Sequence, residues 1–267
     1  MATAPHSDDR WERGDPYERY IGRWSRRIAP RFLSWLGAKP QRRWLDVGCG
    51  TGALTAAILD HAQPVSVVGV EPSEGFLATA ALRVGARAQL QRGSAAQLPL
   101  AEASADVTVS GLVLNFTPDP AAALVEMARV TAPGGTVAAY VWDYADGMQL
   151  IRRFWDAALS LDDNAAALDE AKRFALCQPE ALALLFNQAG LQRVQTGALE
   201  IETRFNDFDD YWLPFLGGQG PAPSYAMGLD EAARKRLRER LRVQLPASPD
   251  GTIVLGARAW AVKGVRP

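Results

Sequence analysis

Asp46, Gly48, Gly50 and Gly52 stand at alternate positions in WLDVGCGTGALT, the stretch Trp44 to Thr55. Glycine has no Cβ, so it accepts positive φ and lets a ligand lie against the backbone. An acid ahead of such a run suits a cationic ligand group, and a helix that follows offers unpaired N–H groups. A second acid, Glu71, closes the apolar run Val65–Val70 about 20 residues past the glycines, where a carboxylate accepts from both ribose hydroxyls. The chemistry this spacing supports is the holding of a nucleotide-type cofactor. The elements that must position it are an apolar strand ending in the glycine turn, a helix patterned at Ala53, Leu54, Ala57 and Ile58, and a second strand ending at Glu71.

Two cofactor classes use this layout. Gly48, Gly50 and Ala53 satisfy the dinucleotide pattern G-x-G-x-x-G/A. Three details favour S-adenosylmethionine. Asp46 would repel a pyrophosphate but attract an amino-acid ammonium. The glycines run G-x-G-x-G, and no Tyr-x-x-x-Lys pair for hydride transfer occurs in the chain.

With LDVGCGTG, then VVGVEPS, then RGSAAQLPLAEASADVTVSGLVLNFTPDP, then APGGTVAAYVWDY, the chain resembles a class I S-adenosylmethionine-dependent methyltransferase. It is similar to the small-molecule group that includes the ubiquinone and menaquinone C-methyltransferases. The resemblance covers roughly Tyr17 to Tyr144, and the last third more loosely. It implies that Asp46, Gly48, Gly50 and Gly52 surround the amino-acid end of the cofactor, that Glu71 holds the ribose, and that Pro72 and Ser73 flank the adenine. Gly93-Ser94-Ala95 stands where the family usually reads Gly-Asp-Ala, so Ser94 brings a shorter, uncharged group to the adenine and Ala95 follows it. Ser110 and Leu112 should lie under the methionine portion. Taken singly, each residue also has a plainer reading: turn glycines, a solvated strand end at Glu71, a polar stop at Ser110.

Residues that would meet an acceptor are less sharply marked. Tyr20, Trp24, Asn115, Trp142, Asp143, Tyr144, Tyr211 and Trp212 fall near the expected cleft. Trp24, Asn115, Trp142, Tyr211 and Trp212 read as lining, and Asp143, Tyr20 or Tyr144 as an optional base. The other reading is that the aromatics are core and that Asp143 caps the next helix. Arg23 reads either as a partner of the cofactor carboxylate or as a surface arginine. His6 and His61 both fall away from the cleft, which leaves no histidine base there. Asn115-Phe116-Thr117-Pro118 lacks the adjacent prolines of the nucleic-acid amino methyltransferase motif.

Alternation of strands and helices gives an α/β fold. The resemblance makes it a Rossmann-like, seven-stranded mixed sheet with the last strand antiparallel, sandwiched by helices. Residues 1–14 read as a mobile tail and 15–267 as one domain, with a helical cap at 15–38 and a cofactor-binding core at 40–145. Strands are expected at Arg43–Val47, Val65–Val70, Ala88–Arg92, Val107–Ser110 (running on towards Leu114), Thr136–Trp142, Val194–Phe205 and Ile253–Val262. The segment 206–250 is too long for a structureless loop and reads as a lid inserted before the last strand.

The chain has 267 residues, 48% of them hydrophobic, and a formal net charge of −1. That balance argues against a nucleic-acid partner, and the arginines at Arg23–Arg31 and Arg234–Arg242 read as solvated helix faces. Two cysteines, Cys49 and Cys177, give neither a disulfide framework nor a metal site, so no metal is expected. No apolar run reaches membrane-spanning length, and no signal-peptide pattern opens the chain. The expectation is a cytoplasmic methyltransferase, monomer or homodimer, acting on a small, partly apolar acceptor through oxygen, nitrogen or carbon. S-adenosyl-L-homocysteine would be its product. The alternatives are an NAD(P)-dependent oxidoreductase and a catalytically silent S-adenosylmethionine-binding protein.

Overall fold

Trp44, Leu45 and Val47 are buried along β1 (Arg43–Val47), the strand that carries Asp46 into the glycine turn. The computed structural model describes residues 17–218 and 220–267; the tail expected at 1–14 lies outside them. A π-helical turn, Glu18–Gly22, runs into α1 (Arg23–Leu36), which stops at Gly37 in the left-handed region. After β1 come α2 (Ala53–His61), β2 (Ser66–Glu71), α3 (Glu74–Val84), β3 (Gln89–Arg92), β4 (Ala105–Gly111), α4 (Pro120–Val130) and β5 (Thr131–Trp142). Ser73 and Asp119 cap α3 and α4 by accepting from the Phe76 and Ala122 amides. The chain continues through α5 (Gln149–Leu159), the single turn α6 (Glu170–Arg173), α7 (Pro179–Gln188) and β6 (Gln192–Phe205). It then passes through α8 (Phe208–Trp212), a 3-10 turn (Leu213–Gly217), α9 (Pro221–Gly228), α10 (Glu231–Gln244) and β7 (Ile253–Val265).

The seven strands form one sheet in the order β3-β2-β1-β4-β5-β7-β6. The first five are parallel, and β7 runs antiparallel to both β5 and β6. This is the expected mixed sheet. Every residue of Val137–Trp142 is buried, as befits a strand covered on both faces.

Most strand limits fall within a few residues of the sequence reading, and two of the differences bear on the site. β5 begins at Thr131, which pairs with Ala105; pairing then resumes at Val107 with Thr136, so Pro133-Gly134-Gly135 bulges out within the strand. β4 ends at Gly111 and does not run towards Leu114. Leu112 turns left-handed (φ 64°) and donates its N–H to the Tyr140 carbonyl at 2.7 Å. A 3-10 turn over Leu114–Phe116 follows. Among the described residues no helix is long and apolar enough to cross a membrane.

Candidate active site

At the C-terminal edge of β1, the Gly48 and Cys49 amides both donate to the Val70 carbonyl, at 2.8 and 3.0 Å. This ties the glycine turn to the end of β2. Gly48, Gly50 and Gly52 all have positive φ. Nothing but the Gly48 carbonyl, at 4.0 Å, lies near the place of a Gly50 Cβ, so that backbone stands open to the cavity beside it. Gly52 packs under Ala80 of α3 and starts α2, which has no side-chain cap.

Two buried carboxyls flank the turn. Glu71 is clamped: one oxygen accepts from the Ser73 amide at 3.0 Å, the other from the Gly50 amide at 3.1 Å. Burial raises its pKa, against the pull of those two donors. Asp46 Oδ2 accepts from Thr55 Oγ1 at 2.7 Å, while Oδ1 is buried with no hydrogen-bond partner. Burial pushes the Asp46 carboxyl up to about 7; the Thr55 hydrogen bond opposes this and the Glu71 charge adds to it. An orphaned carboxylate oxygen is a costly feature unless a ligand supplies a donor.

Between these groups and the loop after β4 lies a cavity of about 750 Å³, within the usual range for small-molecule sites. It brings together Asp46, Gly48, Gly50, Glu71, Pro72, Ser73, Ser94, Ala95 and Leu112. Gly52 and Ser110 are not in its wall, and the Ser110 hydroxyl is fully buried without a partner. Ser94 Oγ accepts from the Ala96 amide at 3.3 Å, so part of its capacity goes to its own turn. Tyr17, Ser25, Phe76, Phe116 and Tyr140 also line the cavity, and the sequence reading did not assign them to it. Tyr17 and Ser25 come from the N-terminal segment, their hydroxyls 3.2 Å apart. Among the described residues the carboxyls of the wall, Asp46, Glu71, Glu74 and Asp119, outnumber its one cation, Arg92, which pairs with Glu74.

The expected acceptor residues are elsewhere. Trp24 packs edge-on to Phe205 (5.3 Å between ring centres), and Trp142 is wholly buried at the end of β5. Tyr211 donates its hydroxyl to the Leu150 carbonyl at 2.9 Å and, with Trp212, packs around Phe215. Tyr20 meets Phe215 edge-on, Tyr144 packs on Phe174, and Asn115 sits in the turn beside Tyr144. None of these lines the cavity. Burial raises the Tyr20 and Tyr144 pKa values well above the usual range, which unsuits them as bases. Arg23 pairs with Asp210 at 2.7 Å rather than reaching the cavity.

Asp143 does not cap α5. It accepts the Asp146 amide and pairs with Arg258 at 2.6 Å, fully buried. It is therefore a structural anchor between β5 and β7. Asp143→Ala should leave Arg258 with only the exposed Asp146 as an ionic partner and cost roughly 1–3 kcal/mol of stability. Cofactor affinity should stay within about twofold. Chemical denaturation and calorimetric titration on the same variant check both numbers.

A family model described as a methyltransferase domain matches residues 45–139. A malonyl-[acyl-carrier protein] O-methyltransferase of Serratia marcescens is 35% identical over 112 residues, 42% of this chain and 43% of that protein. A demethylmenaquinone methyltransferase of Lactiplantibacillus plantarum is 31% identical over 169 residues, 56% of this chain and 70% of that protein. The chain belongs to the S-adenosylmethionine-dependent methyltransferases of class I. The methyltransferase spans less than half the length of the first curated relatives it matches. Its fold is also that of solved structures of low identity. Haemonchus contortus phosphoethanolamine N-methyltransferase 2, in complex with S-adenosyl-L-methionine, superposes with a TM-score of 0.57 at 17% identity, over 94% of this methyltransferase and 56% of that chain. The YcgJ protein of Bacillus subtilis gives 0.59 at 15% identity, over 90% and 98%.

Proposed function

We propose that this methyltransferase moves the methyl group of S-adenosylmethionine onto a small, partly apolar acceptor held in the cavity beside the glycine turn. The observation that carries the reading is the unpartnered oxygen of Asp46, in a cavity wall that carries both carboxyls and apolar side chains. S-adenosylmethionine supplies an electrophilic methyl on a sulfonium centre. The chain's own residues bind, orient and exclude water. Asp46 accepts from the cofactor ammonium, its one free oxygen being the complement of a buried donor. Glu71, held rigid by two backbone amides, accepts from the ribose hydroxyls with its remaining lone pairs. Gly48 and Gly50 keep side chains out of the way. The acidic wall favours a cationic cofactor and opposes the diphosphate of a dinucleotide.

Leu112, Val113, Phe116, Phe76 and Tyr17 give the apolar lining that supports a partly apolar acceptor. Among the described residues no histidine lines the cavity, and burial raises the Tyr17 and Tyr140 pKa values, which keeps both hydroxyls protonated. Transfer by proximity and orientation to an acceptor that is already nucleophilic fits this wall, in which Glu74 and Asp119 are the carboxyls left to take a proton from an acceptor that carries one. Among the described residues of the segment 206–250, read as a lid, none lines the cavity, and the segment braces the cap. Its Asp210 and Phe215 hold Arg23 and Tyr20, next to Tyr17 and Ser25 of the lining.

Calorimetric titration with S-adenosylmethionine, S-adenosylhomocysteine and NAD tests the reading. Both sulfur ligands should bind, and Glu71→Ala should weaken them about a hundredfold, the worth of two charge-assisted hydrogen bonds. Binding of NAD alone would overturn it.

A further inference from the structure

A second cavity, of about 510 Å³, opens at the other edge of the sheet, where β1 and β5 begin and β7 ends. Its wall carries Lys39 and Arg42 from the loop between α1 and β1, Arg193 from the start of β6, and Lys263 from β7. Two of its charged groups are already occupied. Lys263 donates to the Trp35 and Leu36 carbonyls at the end of α1, and Asp106 is held by the Arg43 guanidinium at 2.7 Å. Lys39, Arg42 and Arg193 remain. Among the described residues none of the three has an ion-pair or side-chain hydrogen-bond partner. Three cations with no direct side-chain partner around one concavity stand out in a chain of net charge −1, and such a cleft focuses a positive potential.

The backbone supports the same placement. Arg193 lies in a β-bulge, where the β6–β7 register shifts between Gln192 and Gln195, and its φ is +52°. A bulge re-aims a side chain, and a left-handed arginine is a conformation that asparagine or glycine would adopt with less strain. At Gly134, φ +76°, no atom lies within 4 Å of where a Cβ would sit, so the groove floor there is bare backbone.

We propose that this groove is a second ligand site, distinct from the methyl-transfer cavity, which takes a small molecule carrying a diphosphate or similar dianionic phosphate group. Two guanidiniums offer paired N–H donors that match phosphate oxygens, and the lysine adds a point charge. Among the described residues the one acid in the wall, Asp106, is bonded to Arg43 and attracts Arg42 only through space, so the Arg42 guanidinium keeps its N–H donors for a ligand.

The test uses inorganic pyrophosphate as probe, with titration calorimetry and backbone amide shifts on the full chain. The expected result is saturable one-to-one binding, with shifts at residues 39–42, 132–136 and 192–195. Arg193→Gly removes the charge and relaxes the left-handed backbone, so it should fold at least as well as the parent. Combined with Arg42→Gln it should weaken pyrophosphate by at least about tenfold, while S-adenosylhomocysteine affinity stays the same. The proposal is overturned by an absence of saturable binding up to about 10 mM, by an unchanged isotherm in the double variant, or by shifts confined to the glycine turn.

Discussion

Asp46→Asn should make the ligand-free protein more stable at pH 8 and, at the same time, close to unable to bind its cofactor. The parent buries a carboxyl whose pKa rises to about 7 from an ordinary value near 4. Below pH 4 the group is protonated in both the folded and the unfolded chain and costs nothing. Between about pH 4 and 7 the folded state holds a proton that the unfolded state has lost, so stability falls as pH rises. Above pH 7 the full cost is present, roughly 4 kcal/mol for a three-unit shift. Asparagine keeps an acceptor for Thr55 and carries no charge, so it escapes that cost. The melting temperatures of parent and variant should therefore converge as pH falls towards 4 and separate, with the variant higher, as it rises to 8. An amide cannot neutralise an ammonium, so S-adenosylhomocysteine affinity should drop about a hundredfold or more. For the parent, binding should tighten about tenfold per pH unit from 5 to 7, because the proton must leave Asp46. Calorimetry at pH 6 in two buffers of different ionisation enthalpy should show close to one proton released. If Asp46→Asn binds like the parent, the carboxylate is not the ammonium partner.

The glycine turn, both its acids and the helix behind it were legible because a single local pattern specifies them. β1, the turn and α2 are contiguous, and the apolar period switches from strand to helix at Gly52. The aromatic part of the cavity wall was not legible, because it depends on register. Tyr140 and Trp142 share one face of β5 by alternation, and both are aromatic. Pairing of Gly111 with Tyr140 sets Tyr140 level with the turn, and Gly111 leaves room for its ring, since a Cβ there would sit 2.7 Å from the Tyr140 hydroxyl. Trp142 lies two residues further on and is sealed into the core. Tyr211 and Trp212 misled for a related reason: a large ring in an inserted segment can fill a pocket or glue the insert down, and here Phe205, Phe208 and Phe215 receive them. The basic groove was illegible altogether. Lys39 and Arg193 are far apart in the chain, and only the antiparallel return of β7 beside β5 brings the start of β6 to them.

Gly48→Ala should be the most damaging single methyl group that can be added near the site. Two costs add there. The φ of +70° places an alanine in the left-handed region, at about 1–2 kcal/mol. The new Cβ would also stand 2.6 and 2.8 Å from the two methyls of Val113, a β-branched side chain with little freedom to rotate. Overpacking of that kind costs typically 1–3 kcal/mol more. Gly190→Ala isolates the first cost, because φ is +79° and no atom lies within 4 Å of the Cβ position. Val113→Ala isolates the second by removing the two methyls. The expected order of stability is Gly190→Ala above Gly48→Ala, with the Gly48→Ala, Val113→Ala double variant recovering the overpacking part relative to Val113→Ala alone. Cofactor affinity should follow the clash more than the strain, since Val113 and Gly48 both line the cavity and Gly190 does not. Denaturant midpoints and S-adenosylhomocysteine titrations on the four proteins separate the terms. Equal losses in Gly48→Ala and Gly190→Ala would mean that the loop after β4 yields freely, and that the turn is selected for its backbone angle and not for its close approach to Val113.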